Sequence, residues 1–329
     1  MEIFLAVLLL IVGFVLLVKG ADFFVDGASN ISKYLKVPTL IIGLTVVAFG
    51  TSLPEAAVSV TSAIKNIDDV SLGNIIGSNN FNLLLILGIS ALISPVFVDK
   101  QIIKRDLPYS ILGALLLIVA LYLLHQGSNP ALVRIEGFIL LVFFSLYMLI
   151  TIRSALKEHN LETYKDGDEK EENNEPTLSK QRSIIYVFLG LVGIVLGGIL
   201  VTDSARKIAL ELGMSEWLVG LTIVSIGTSL PELVTSVVAA IKKENDIAVG
   251  NVVGSNIFNI FFVLGLSSLI SPISFTSQVL FDLIFLIIGS TILLAFVFFR
   301  KGKLGRIEGG LLTLMYIGYF VYIILRDLQ

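Results

Sequence analysis

A six-residue stretch, Gly50-Thr51-Ser52-Leu53-Pro54-Glu55, returns 177 positions later as Gly227-Thr228-Ser229-Leu230-Pro231-Glu232. Around it, Gly43–Glu55 and Gly220–Glu232 agree at 10 of 13 positions. Gly73–Asn82 (GNIIGSNNFN) and Gly250–Asn259 (GNVVGSNIFN) agree at 7 of 10, and Ser94-Pro95 returns as Ser271-Pro272. The register therefore holds from 43 to 95 without an insertion. A chain built this way folds as two related halves, and the relation between them depends on how many elements separate the copies.

The chain is 55% hydrophobic and 15% charged, with mean hydropathy +0.92. Soluble domains carry roughly 25% charge. Apolar runs fall at about 3–20, 37–64, 70–94, 107–124, 132–152, 183–201, 216–241, 247–270, 279–299 and 307–325, each long enough for a membrane span. The first run follows Glu2 without a positive n-region and lacks a cleavage site, so it reads as a span rather than a leader. Residues 153–182 break the pattern, with seven acidic residues between Glu162 and Glu175 followed by Pro176. They read as a solvated linker. The expected fold class is an all-α polytopic membrane protein: ten transmembrane helices in two five-helix halves, 1–152 and 183–329. The repeats lie at about 43–95 and 220–272. Five spans per half is odd, so the second copy enters the membrane from the opposite side, an inverted-topology repeat. Lysine and arginine divide 18 to 5 between alternate connections. That bias puts the linker in the cytoplasm and both termini outside.

Pro54 has no amide hydrogen, so the carbonyl of Gly50 loses its helical donor and the helix should break near Thr51. Broken helices persist at membrane depth only where the freed backbone faces protein or a hydrated cavity. Glu55 then sits in the first turn of the second half-helix, where the helix dipole favours negative charge. Ala48, Thr51, Ser52, Glu55, Ser59 and Ser62 share one face, as do Ser225, Thr228, Ser229, Glu232 and Ser236. Asn74, Ser78 and Asn82 recur at four, and so do Asn251, Ser255 and Asn259. Four helices thus carry one polar stripe each. Packed face to face, they gather two carboxylates, hydroxyls, amide oxygens and freed carbonyls. That set has no cysteine and no histidine, which excludes zinc and copper chemistry and suits calcium or sodium; magnesium demands a tighter octahedron.

GTSLPE followed by GN-x-x-GSN-x-FN in each half resembles the α-repeats of the sodium/calcium exchanger family, within the cation/calcium antiporter superfamily, and most the short prokaryotic members. The resemblance implies antiport of calcium against sodium by alternating access, with calcium and sodium as transported ions and no cofactor. It implies that Glu55 and Glu232 are shared calcium and sodium ligands, that Thr51 and Thr228 offer carbonyls to calcium, and that Ser52, Ser229, Ser78 and Ser255 line sodium sites. The carbonyls of Ala48 and Ser225 would join them, and Asn82 and Asn259 would complete the centre. Some family members, including potassium-dependent ones, carry aspartate at the position of Asn259; asparagine here weighs against potassium co-transport.

Three rival functions are weighed. A proton-coupled exchanger, or a carrier of another divalent cation, is the first; the proton-coupled branch of the superfamily typically carries a different, GN-x-x-E-type motif, with a nearby histidine in some members, and neither His125 nor His159 lies near a repeat. A channel favours a ring of acids around a symmetric pore. An intramembrane hydrolase needs a histidine beside a serine within a span, and none is placed there. The bilayer is the expected partner. There is no basic, aromatic-laced surface for nucleic acid, and no obligate protein partner is indicated. Asn74 and Asn251 could equally bond neighbouring helices. Gly43, Gly73 and Gly77, with their mates, read as close-packing positions, and Asp26 and Asp203 as caps of short breaks.

Overall fold

The computed structural model describes residues 2–65, 68–120, 131–165, 175–214, 223, 225–274 and 278–327. Those residues are helical apart from short connections and two small ladders. In chain order the helices are α1 (Glu2–Leu35), α2 (Thr39–Thr51), α3 (Leu53–Ile64), α4 (Ser71–Ile93), α5 (Leu107–Ile118) and α6 (Arg134–Lys165), then α7 (Lys180–Glu211), α8 (Ser225–Thr228), α9 (Leu230–Ile241), α10 (Asn245–Ile270), α11 (Gln278–Phe299) and α12 (Arg306–Asp327). Among the described residues, seven helices are long and apolar enough to cross a membrane, or eight counting the bent pair α2–α3. The chain is a multi-pass membrane protein.

Three helices, α1, α6 and α7, extend well beyond their apolar runs. α1 does not end near residue 20 but continues to Leu35. Its Asp22 and Asp26, four apart on one face, both pair with Lys242 Nζ, at 2.5 and 2.6 Å. One cation from beyond α9 therefore pairs with both of the acids that follow the first apolar run. Asp26 caps no break, and neither does Asp203, which lies inside the continuous helix α7. α7 stops where Gly213 takes φ +89° and Met214 N donates to Ala209 O, a left-handed C-terminal cap. The expected linker is also shorter: α6 runs helically through its first residues to Lys165, and α7 begins at Lys180 behind the cap Ser179. Its end is held on α1, since the backbone amides of Thr177 and Leu178 both donate to Asn30 Oδ1, at 2.8 and 3.1 Å.

α1 and α7 run antiparallel along a glycine seam. A methyl group added at Gly20 would lie 2.7 Å from the Ile194 amide nitrogen; at Gly27, 2.7 Å from that of Val187; at Gly190, 2.6 Å from that of Phe24; and at Gly197, 2.6 Å from that of Leu17. Gly13/Gly190 and Gly20/Gly197 keep the 177 offset, so the internal likeness reaches the first helix of each half. Gly43 and Gly250 also close on each other's backbone, at 3.0–3.2 Å. Gly73 is different: a methyl group there would meet nothing within 4 Å, so it is not a close-packing position.

Burial separates centre from rim. The apolar windows of α10 and α4 are 94% and 78% buried, against 22–33% for the other long helices. α4 and α10 thus form the centre, and α1, α6, α7, α11 and α12 turn much of their surface outward. The two parts of the chain are interleaved. Gly88 of α4 packs on Gly309 of α12, and Gly265 of α10 on Gly137 of α6. The ladders repeat this exchange. β1 (Val96–Phe97) pairs antiparallel with β4 (Lys303–Leu304), and β2 (Ala131–Leu132) with β3 (Ile273–Ser274).

Candidate ion-binding site

The break after Thr51 falls at Ser52 (φ −83°, ψ 8°), and α2 and α3 meet at a 49° bend. The second copy breaks alike at Ser229 (φ −92°, ψ 5°), between α8 and α9. Proline stands at the start of α3 and of α9, where its missing amide hydrogen belongs to an orphan position anyway. Glu55 and Glu232 therefore occupy the first turns of α3 and α9, as expected.

The structure brings the two acids into one cluster through exchanged serines. Ser52 Oγ donates to Glu232 Oε1 at 2.7 Å, and Ser229 Oγ to Glu55 Oε1 at 2.9 Å. Ser229 Oγ also lies 2.9 Å from Ser78 Oγ of α4. Glu55, Glu232, Ser52, Ser229, Asn82, Asn259 and Ser255 are all fully buried. Among the described residues, no ion pair involves either glutamate. Withdrawing a carboxylate from water costs several kcal/mol unless a counter-charge and hydrogen bonds compensate. One oxygen of each acid has its serine; Glu55 Oε2 and Glu232 Oε2 accept no hydrogen bond, and neither do Asn82 Oδ1 and Asn259 Oδ1.

The remaining expected residues have mixed surroundings. Thr51 and Thr228 lie at the two breaks. Thr51 Oγ1 meets Asn251 Oδ1 at 2.9 Å, and Thr228 Oγ1 meets Asn74 Oδ1 at 3.2 Å. The Ala48 carbonyl already accepts from the Ser52 amide at 3.1 Å and the Thr51 hydroxyl at 3.3 Å, with Ser255 Oγ at 3.4 Å. The side chain of Ser225 and the residues 215–222 that lead to it lie outside the described residues, as does His125.

Asn74 and Asn251 take the bonding role of the two open to them. Asn74 Nδ2 donates to Glu55 O and Ser59 Oγ, and Asn251 Nδ2 to Glu232 O and Ser236 Oγ. They fasten the half-helices that carry the acids. Asn79 and Asn256, the third residue of each GSN, lie outside the polar stripes that the helical spacing singles out. Each is fully buried and bonded to the other copy. Their place in both repeats was the available signal.

A family description of sodium/calcium exchanger proteins matches residues 5–153 and 182–325, on either side of the acidic stretch. The chain belongs to the sodium/calcium exchanger family. The putative antiporter CaxA of Alkalimonas amylolytica is 38% identical over 320 residues, covering 95% of this chain and 97% of CaxA. The sodium/calcium exchanger MaX1 of Methanosarcina acetivorans is 33% identical over 343 residues, covering 95% and 97%. The solved exchanger NCX_Mj, soaked with sodium and strontium, superposes with a TM-score of 0.80 at 34% identity, covering 96% of this chain and 97% of that one. Members of the sodium/calcium exchanger family are transporters, not enzymes, and sodium and calcium are their cargo.

Proposed function

We propose that this chain exchanges sodium for calcium across the membrane by alternating access. In this reading ten spans form two inverted halves, 1–152 and 183–329, joined by a cytoplasmic stretch within 153–182, with both termini outside. Glu55 and Glu232 bind calcium and sodium in turn. Asn82 and Asn259 add amide oxygens, Thr51 and Thr228 add carbonyls, and Ser52, Ser229, Ser78 and Ser255 line the sodium positions with the Ala48 and Ser225 carbonyls.

One observation carries the reading. Four oxygens from four elements, Glu55 Oε2, Glu232 Oε2, Asn82 Oδ1 and Asn259 Oδ1, are buried without a hydrogen-bond donor. Buried acceptors in folded proteins mostly have a partner; others are bare here too, Asn80 Oδ1 and Asp106 Oδ2 among them, but these four combine the two repeated acids with the two repeated amides. With the carbonyls and hydroxyls beside them they supply the hard oxygens of a cation such as calcium, which takes six to eight. Two carboxylates balance one divalent ion. Three sodium ions against the same two acids would leave a net positive charge, making that step sensitive to membrane potential.

Reconstituted vesicles loaded with calcium test the assignment. Efflux should start when sodium is supplied outside and should be unchanged by a pH step at constant sodium. Efflux driven by the pH step alone would assign proton coupling instead.

A further inference from the structure

An asparagine carboxamide has two ends of nearly equal size and opposite use. Its oxygen can ligate a cation, whereas its NH2 group, a donor, faces one unfavourably. A site that relies on Asn82 and Asn259 therefore needs something to decide which end points inward. A neighbouring acceptor can do that, because it bonds only the nitrogen end.

Here the acceptors belong to a second asparagine pair. Asn259 Nδ2 donates to Asn79 Oδ1 at 3.2 Å, and Asn82 Nδ2 donates to Asn256 Oδ1 at 3.2 Å. The second pair is itself fixed. Asn79 Nδ2 donates to the Asn256 backbone carbonyl at 3.2 Å, and Asn256 Nδ2 to the Asn79 carbonyl at 3.1 Å. A backbone carbonyl accepts only, so turning Asn79 over would set oxygen against oxygen. All four side chains are fully buried, so water cannot substitute for a lost partner. The oxygens left over at the end of this relay are Asn82 Oδ1 and Asn259 Oδ1.

We propose that Asn79 and Asn256 are positioning residues: across the interface between α4 and α10 they turn the carboxamides of Asn259 and Asn82 so that oxygen, not NH2, faces the ion. The proposal rests on the sodium/calcium reading and adds how its amide ligands acquire their polarity. Each copy of the repeat orients the ligand of the other, so neither half completes the site alone.

The test exploits a ligand that needs no orienting. In Asn79→Leu the Asn259 amide loses its acceptor; outer-shell partners of this kind are worth roughly 10–100-fold in metal affinity. Calcium KM in sodium-driven vesicles and calcium Kd by calorimetry should both rise by about that factor. In the Asn259→Asp background both ends of the side chain are oxygen, so adding Asn79→Leu should cost nothing or improve binding by removing an opposed oxygen. Equal losses in the two backgrounds, or no loss in either, would overturn the proposal while leaving sodium/calcium exchange intact. If the parent shows no sodium-dependent calcium flux, it is the exchange reading that fails, and the calorimetric cycle still decides the positioning role. Should Asn79→Leu not insert, the same cycle with Asn256→Leu and Asn82→Asp gives the same two outcomes.

Discussion

Glu232→Gln, and equally Glu55→Gln, is expected to abolish calcium flux in sodium-loaded vesicles while the chain stays inserted and folded. Glutamine keeps the oxygen to which Ser52 or Ser229 donates, so the local hydrogen bond survives the change. What disappears is half the charge that balances a divalent ion inside a buried cluster. Leaving buried charge uncompensated costs about 3–5 kcal/mol, and each 1.4 kcal/mol is tenfold in affinity. Calcium Kd by calorimetry should therefore rise by at least two orders of magnitude on this scale. The ion-free variant should melt no lower than the ion-free parent, because it buries one fewer unbalanced carboxylate. Normal flux in either variant would remove both acids from the site.

The second large effect is expected at the glycine seam. Gly20→Leu forces a side chain against the Ile194 amide and the Gly190 carbonyl, which a methyl group alone would approach to 2.7 and 2.9 Å. Both are backbone atoms of a long helix, so neither yields locally and α1 and α7 must part. Overpacking of this kind costs about 1–3 kcal/mol and sometimes more. At about 2–4 °C per kcal/mol for chains of roughly 150–250 residues, and somewhat less for a longer one, the melting temperature in detergent should fall by a few degrees. Gly73→Ala is the matching control. It adds a methyl group near the start of α4 where nothing stands within 4 Å, and replacing a helical glycine by alanine stabilises by up to roughly 0.5–1 kcal/mol. The two substitutions should move the melting point in opposite directions, as differential scanning fluorimetry can read.

Much of the site was legible in the residues because its rules are local. Pro54 and Pro231 dictate where a helix can no longer bond. The spacing of Thr51, Ser52 and Glu55 along a helix dictates which side chains share a face. The duplication then says that whatever the first copy builds, the second builds also. The parts that were not legible depend on distant partners. The first apolar run stops near residue 20 and Asp26 reads as a cap, because the counter-charge of Asp22 and Asp26, Lys242, is more than two hundred positions away. The glycines at 13, 20 and 27 carry no local signal of their own: Gly197 closes on the Gly13 carbonyl, Gly190 on that of Gly20, and Val187 lies against Gly27. Asn79 and Asn256 stood in the repeated motif, yet no reading along one helix could tell which amide each would orient, since each acts on the other copy. Gly73 erred the other way: repetition suggested a tight contact where there is open space.

In α4 and α10 the regular helical winding is interrupted by a wider turn, a π-helical stretch at Phe81–Ile86 and again at Phe258–Val263. The two stretches begin and end 177 residues apart, with Asn82 and Asn259 as their second residues. A turn closed five residues back holds one residue more than its neighbours. Each stretch opens on the same Phe-Asn pair, so the wider turn travels with the repeated sequence, and the loosened coil sets both amide side chains at the same point of their helices.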